Sequence, residues 1–127
     1  MREAATRNRG LFALWIAVLT LISPPTRAAA QSTRESALIQ LLHSNTAEAR
    51  ARAAELLRGA RSDEARDALV IAVRDPDAGV RAAAAMSLGT MGGAAAVAAL
   101  AGALRDPDLH VRAAAAAAIS TMRHRHR

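Results

Sequence analysis

The sequence predicts an all-α protein: an α-solenoid of antiparallel helix pairs, about two and a half to three repeats long. Three observations carry that prediction. The chain has 127 residues, of which 35 are alanine and 17 arginine, with one Phe, one Trp and no Tyr; alanine, arginine and leucine at this density favour helix. No stretch alternates apolar and polar residues with a period of two, so no strand is expected. The third observation is a 31-residue period: Asp75-Pro76-Asp77 returns as Asp106-Pro107-Asp108, and Val80-Arg81 returns as Val111-Arg112. A period of this length marks stacked supersecondary units.

The N-terminus reads as an address. Arg2, Arg7 and Arg9 precede an uncharged apolar run, 11–22, which Ser23-Pro24-Pro25 ends; Ala28-Ala29-Ala30 follows. A basic start, a short apolar core and an A-x-A site make a secretory signal peptide over 1–30, cleaved before Gln31. The run is too short to span a bilayer, so no stable membrane anchor is expected after cleavage. No cysteine is present for lipid attachment, disulfides or thiol chemistry. The expected location is outside the cytoplasm, periplasmic or extracellular.

Cleavage also changes the charge balance. The chain as a whole carries +6, but residues 31–122 hold 10 arginines against 10 acids. The surplus sits in the leader and in a short basic tail, 123–127, expected to be disordered. Nucleic acid is therefore not an expected partner.

Between leader and tail, residues 31–122 form one repeat domain. Leu38, Leu69 and Leu100 share a column, as do Ala54, Ala85 and Ala116, and Leu57, Leu88 and Ile119. An opening helix over 33–43 has Ser32 and Glu35 at capping-box spacing. The corner Ser44-Asn45-Thr46 is a degenerate copy of the Asp-Pro corners, and a first helix follows over 46–58. Ser62 caps a second helix over 63–74. Asp75 as N-cap with Pro76 at the first helical position starts the helix 76–89, which Gly89, with Gly92 and Gly93 shortly after, ends. A helix over 94–105 follows, and Asp106-Pro107 starts the last, 107–122. The second helices carry one buried stripe each: Leu38, Leu41 and Leu42; Leu69, Ala72 and Val73; Leu100, Ala103 and Leu104.

The motif D-P-D-x-x-V-R-x-x-A-A-x-x-L-G at 75–89, repeated to Ile119 from 106, resembles the HEAT family and its shorter repeats of the phycobilisome-lyase type. The resemblance covers 32–122, more weakly before 75. It implies first helices on the convex side, second helices on the concave side, and a ladder of Asp75, Arg81, Asp106 and Arg112 between neighbouring repeats. Two related families have chemistry. Deoxyhypusine hydroxylases hold iron through His-Glu dipeptides, and no such dipeptide occurs here, since His43 precedes Ser44 and His110 precedes Val111. Phycobilin lyases act in the cytosol, whereas this chain carries the signature of export.

No serine stands in a G-x-S-x-G elbow, and no histidine has a carboxylate partner legible in the sequence. His124 and His126 in the tail lack further ligands nearby. The expectation is no catalytic residue, no metal and no cofactor. Binding is expected on the concave face, where solenoids work. The 31-residue register places Glu35, Arg66 and Val97 in one row, Ile39, Val70 and Ala101 in the next, and His43, Arg74 and Arg105 in the last. His43, Arg66, Val70, Arg74 and Arg105 are the candidate binding residues. The function expected is an exported protein-interaction module whose partner is another protein, including self-association through helix 108–122. The alternatives are an accessory subunit or relic of a HEAT-like lyase or hydroxylase, and a truncated piece of a longer repeat protein.

Overall fold

A computed structural model of the chain describes residues 24–127. The basic start and the apolar run of the expected signal peptide lie outside the described residues. Among the described residues there are six α-helices and no strand: α1 (Arg27–Leu41), α2 (Ala47–Leu56), α3 (Asp63–Ala72), α4 (Ala78–Met91), α5 (Ala94–Ala103) and α6 (Leu109–Arg125). A 3-10 turn, Leu57–Gly59, extends α2. Residues 32–127 form one compact unit. No helix among the described residues is long and apolar enough to cross a membrane.

Within that unit α2, α4 and α6 form one layer, with α4 packed against both neighbours, while α3 and α5 pack beside them as the second layer. The columns of the 31-residue register are the core. Leu38, Leu69 and Leu100 are all buried, as are Leu57 with Leu88 and Ala54 with Ala85. Ser87 is the one buried polar side chain among the described residues, and its hydroxyl donates to the Ala54 carbonyl at 2.6 Å, tying α4 to α2.

Several local expectations are corrected. The helix N-caps are the second aspartates of the corners, Asp77 and Asp108, not Asp75 and Asp106. Asp77 accepts the Val80 N–H at 3.1 Å; Asp108 accepts those of His110 and Val111 at 2.8 and 3.2 Å. The first aspartate is already engaged two residues on, Asp75 with the Asp77 N–H and Asp106 with the Asp108 N–H, each at 2.9 Å. That local turn holds the proline outside the helix and leaves the second aspartate to cap it. Ser62 caps α3 as expected, accepting the Ala65 N–H at 3.2 Å.

Ser32 is no cap, because α1 begins earlier, at Arg27, where Pro25 and Thr26 start it; the Ala29 N–H reaches the Thr26 hydroxyl. Ala28–Ala30, the expected cleavage site, therefore stand in the first turn of α1. Gly89 does not end α4. It is buried inside the helix, and a Cβ placed there would lie 2.5 Å from the Ala118 Cβ of α6. The glycine permits close approach, and the helix ends instead at Gly92, whose φ of 75° suits a residue without a side chain. Finally, α6 extends through most of the tail expected to be disordered, to Arg125, which donates to the Thr90 carbonyl.

Two leucines of the expected stripes are not buried: Leu41 and Leu104 are 47% and 41% exposed. Each lies at an end of the second-helix row, where no described helix packs on its outer side.

Candidate functional site

Shallow troughs lie between neighbouring second helices. One open groove of about 810 Å³ runs between α1 and α3. Its floor is Ile39, Leu42 and Val70; His43 and Arg74 stand at one end, Glu64 and Asp67 at the other. A second groove, about 530 Å³, runs between α3 and α5 over Val70, Val73 and the alanines Ala95, Ala98 and Ala99, with Arg74, Arg81 and Asp106 at its rim.

The structure thus brings together three of the five candidate binding residues. Val70 and Arg74 line both grooves, and His43 lines the first. Arg105 is exposed and lines neither. Arg66 also lies away from the grooves. It pairs with Asp63 one turn back, and its Nε is buried beside Gly93 without a hydrogen-bond partner. Glu35, in the same row, is half-buried and accepts the Arg61 N–H. The register placed this row correctly along the helices, but the segments after α2 and α4 come against Glu35 and Arg66, while Val97 stays exposed.

Sequence reasoning missed Glu64, Asp67 and the 68% exposed Ile71 as lining residues. Their spacing of three and four puts them on one face of α3, and that signal was readable. The first groove is therefore charged in both senses along its length.

The ladder is built from a carboxylate and a guanidinium in adjacent repeats. Arg81 forks onto Asp106, Nε to Oδ2 at 2.9 Å and Nη2 to Oδ1 at 3.0 Å. The Asp75 carboxylate takes Arg50, not Arg81, with the same geometry, at 2.8 and 3.0 Å. Arg50 occupies the register position of Arg81 and Arg112, which is how it could have been found. In all three, Nη1 also donates to the carbonyl six residues back: Ser44, Asp75 and Asp106, at 2.9, 2.9 and 2.8 Å.

The bond from Arg50 holds the Asp75 carboxyl below the ordinary carboxylate range; desolvation opposes it and the Asp77 N–H assists. Arg81 does the same for Asp106, against desolvation and with help from the Asp108 N–H. Arg50 and Arg81 are in turn held above the usual guanidinium value by those carboxylates. Among the described residues no carboxylate lies within ion-pair distance of Arg112.

Among the described residues no group of three or more His, Asp or Glu side chains is placed to hold a metal ion. The tail histidines His124 and His126 are exposed.

A family model described as HEAT repeats matches residues 35–120. Two solved structures are similar. One is human deoxyhypusine hydroxylase in complex with glycerol, at 25% identity and a TM-score of 0.67, covering 81% of this chain and 40% of that one. The other is the complex of CpcE and CpcF of phycocyanin lyase from a Nostoc species, at 29% identity and a TM-score of 0.65, covering 80% of this chain and 39% of that one. The chain thus spans about two fifths of the length of either. No curated protein sequence matches.

Proposed function

We infer that this chain, which belongs to the HEAT-repeat family, binds another protein across its second-helix row, does no chemistry of its own, and works outside the cytoplasm. One observation carries the binding reading: two adjacent grooves share Val70 and Arg74, with an apolar floor and charged ends. A floor of Ile, Val and Ala can take the apolar side chains of an extended peptide or a helix. Glu64 and Asp67 at one end and Arg74 at the other then favour one orientation of a segment with opposite charges at its ends.

The non-catalytic reading draws its support from the repeat corners. Asp75, Asp106, Arg50 and Arg81 are engaged with one another at the corners, and Asp77 and Asp108 in helix caps. Export rests on the sequence of 1–30 alone.

The test is capture from the envelope fraction with the purified chain and its Val70→Glu and Arg74→Glu variants. One protein should be retained by the parent and lost by both variants, with cross-links mapping to α1 and α3. Retention by both variants would remove the groove reading. N-terminal sequencing of the recovered chain tests export: a start at Gln31 is expected, and an intact Met1 would refute it.

A second reading, an accessory subunit of a hydroxylase or lyase, is favoured by the two similar structures. It predicts that the retained partner is itself such an enzyme and that activity depends on the groove.

A further inference from the structure

The two grooves are copies of one another in the 31-residue register, and they differ on one wall. Ile39, Leu42 and His43 line the first as Val70, Val73 and Arg74 line the second. On the opposite wall the likeness stops: Glu64, Asp67 and Ile71 of the first groove become Ala95, Ala98 and Gly102 in the second. Gly102 leaves open space where a side chain would stand. Ile71 is 68% exposed, on the same face of α3 as the two acids.

The fold accounts for only one of those acids. Glu64 lies in the first turn of α3, where the helix dipole favours a negative charge. Asp67 lies beyond that turn; it is three residues from Glu64, where like charges repel, and aspartate is a poor helix former. Among the described residues no cation stands within ion-pair distance of either, since Arg66 takes Asp63. Two open carboxylates beside an exposed isoleucine have no use inside the chain.

The floor selects the form of what it holds. Side chains of α1 and α3 make it, and the backbone beneath is bonded within those helices. An extended segment would find no backbone partners there, whereas a helix brings its own. Glu64 and Arg74 are ten residues apart, about 15 Å along a helix, so about three turns of a docked helix reach both ends.

We propose that the first groove, and not the second, seats an amphipathic helix of another protein. Its apolar stripe lies over Ile39, Val70 and Ile71, basic side chains meet Glu64 and Asp67, and an acidic one meets His43 and Arg74. The inference rests on the groove reading and adds which groove is used and what fills it. A second copy of this chain fits less well: its α6 has a basic end but no acid for His43 and Arg74.

Fluorescence anisotropy with a synthetic helix tests the assignment. The probe is an alanine-based peptide of about 18 residues, with leucine at i, i+3, i+4 and i+7, two arginines at one end of that stripe and a glutamate about ten residues on. The purified protein should bind it, more weakly as salt rises. Asp67→Arg should weaken binding roughly tenfold or more, while Ala98→Arg, the register copy in the second groove, should leave it unchanged. Asp67→Arg should in turn prefer a probe whose arginines are replaced by glutamates. Both positions are exposed, and circular dichroism checks that helix content is kept. Equal effects of Asp67→Arg and Ala98→Arg would overturn the inference, as would a parent protein that binds no probe; the capture experiment then still decides the groove reading. Binding lost in Val70→Glu but kept in Asp67→Arg would leave the groove reading standing and remove this one. Self-association of the parent that Asp67→Arg abolishes would make a second copy the occupant and also overturn it.

Discussion

Replacing Arg81 with alanine removes a fork that makes four hydrogen bonds. The variant loses two bonds to Asp106, at 2.9 and 3.0 Å, and two to the Asp75 and Pro76 carbonyls, at 2.9 and 3.0 Å. The side chains of Arg81 and Asp106 are 15% and 10% exposed, so water reaches the abandoned carboxylate only partly. An ion pair at a fully open surface is worth under about 1 kcal/mol, and a charge stranded in a dry core costs about 3–5 kcal/mol. This pair lies between those cases, and a loss of about 1–3 kcal/mol is expected.

Arg112→Ala is the matched control, since it removes the same carbonyl contacts from the same register position without breaking an ion pair. Urea melts of the two variants should differ, with Arg81→Ala the less stable. Equal midpoints would refute the assignment of the ladder as a stabilising device.

The pH dependence gives an independent reading of the same pair. Asp106 titrates below its ordinary value because Arg81 bonds its ionised form. A depressed carboxylate contributes stability above the unfolded-state value, near 3.9, and loses it as pH falls through the lower folded-state value. The gap between parent and Arg81→Ala should therefore be full at neutral pH and narrow in the acid range. A gap that widened on acidification would contradict this sign.

Gly89→Ala should destabilise by about 1–3 kcal/mol through overpacking, because the new Cβ would meet Ala118 Cβ and Cα at 2.5 and 2.7 Å; thermal melts check it. Asp77→Ala should cost about 0.5–2 kcal/mol as a lost cap, and Pro76→Ala less, since Pro76 precedes the helix. The reverse order in urea melts would restore Asp75 as the cap.

The register was legible because it depends on side-chain identity at fixed spacing, and columns such as Leu38, Leu69 and Leu100 leave little choice of inward face. The corners were half legible. Asp-Pro-Asp announces a helix start, but two aspartates compete for one cap, and only the Asp75–Asp77 turn decides between them. Gly89 misled because a glycine near a helix end has two uses, as a terminator or as a place for a neighbour to approach, and the neighbour lies 29 residues away in the chain. Arg66 was misplaced for a similar reason: period locates a residue on its helix but says nothing of the loop that covers it. The grooves were legible as a row, yet their acidic end required knowing which flank of α3 faces α1.

Much of the first-helix layer is alanine, so a covered and an uncovered position of one column differ by little apolar area. Ala53, Ala54, Ala84, Ala85, Ala115 and Ala118 are buried where α2, α4 and α6 meet. Each brings one methyl, about 0.8 kcal/mol per carbon at best, so leaving Ala116 in water forfeits little, whereas a leucine there would create an adhesive patch. The contrast between a covered and an uncovered position of one column can be measured directly. Ala85 is fully buried, and leucine in its place adds three carbons where α4 is already packed, for an expected loss of about 1–3 kcal/mol. Ala116 is the same column one repeat on and is exposed; leucine there should change stability by less than about 0.5 kcal/mol and increase association instead. Urea melts give the first quantity and sedimentation the second. If Ala116→Leu proved as destabilising as Ala85→Leu, position 116 would be packed in solution, and the column would lack the exposed member that the structure gives it.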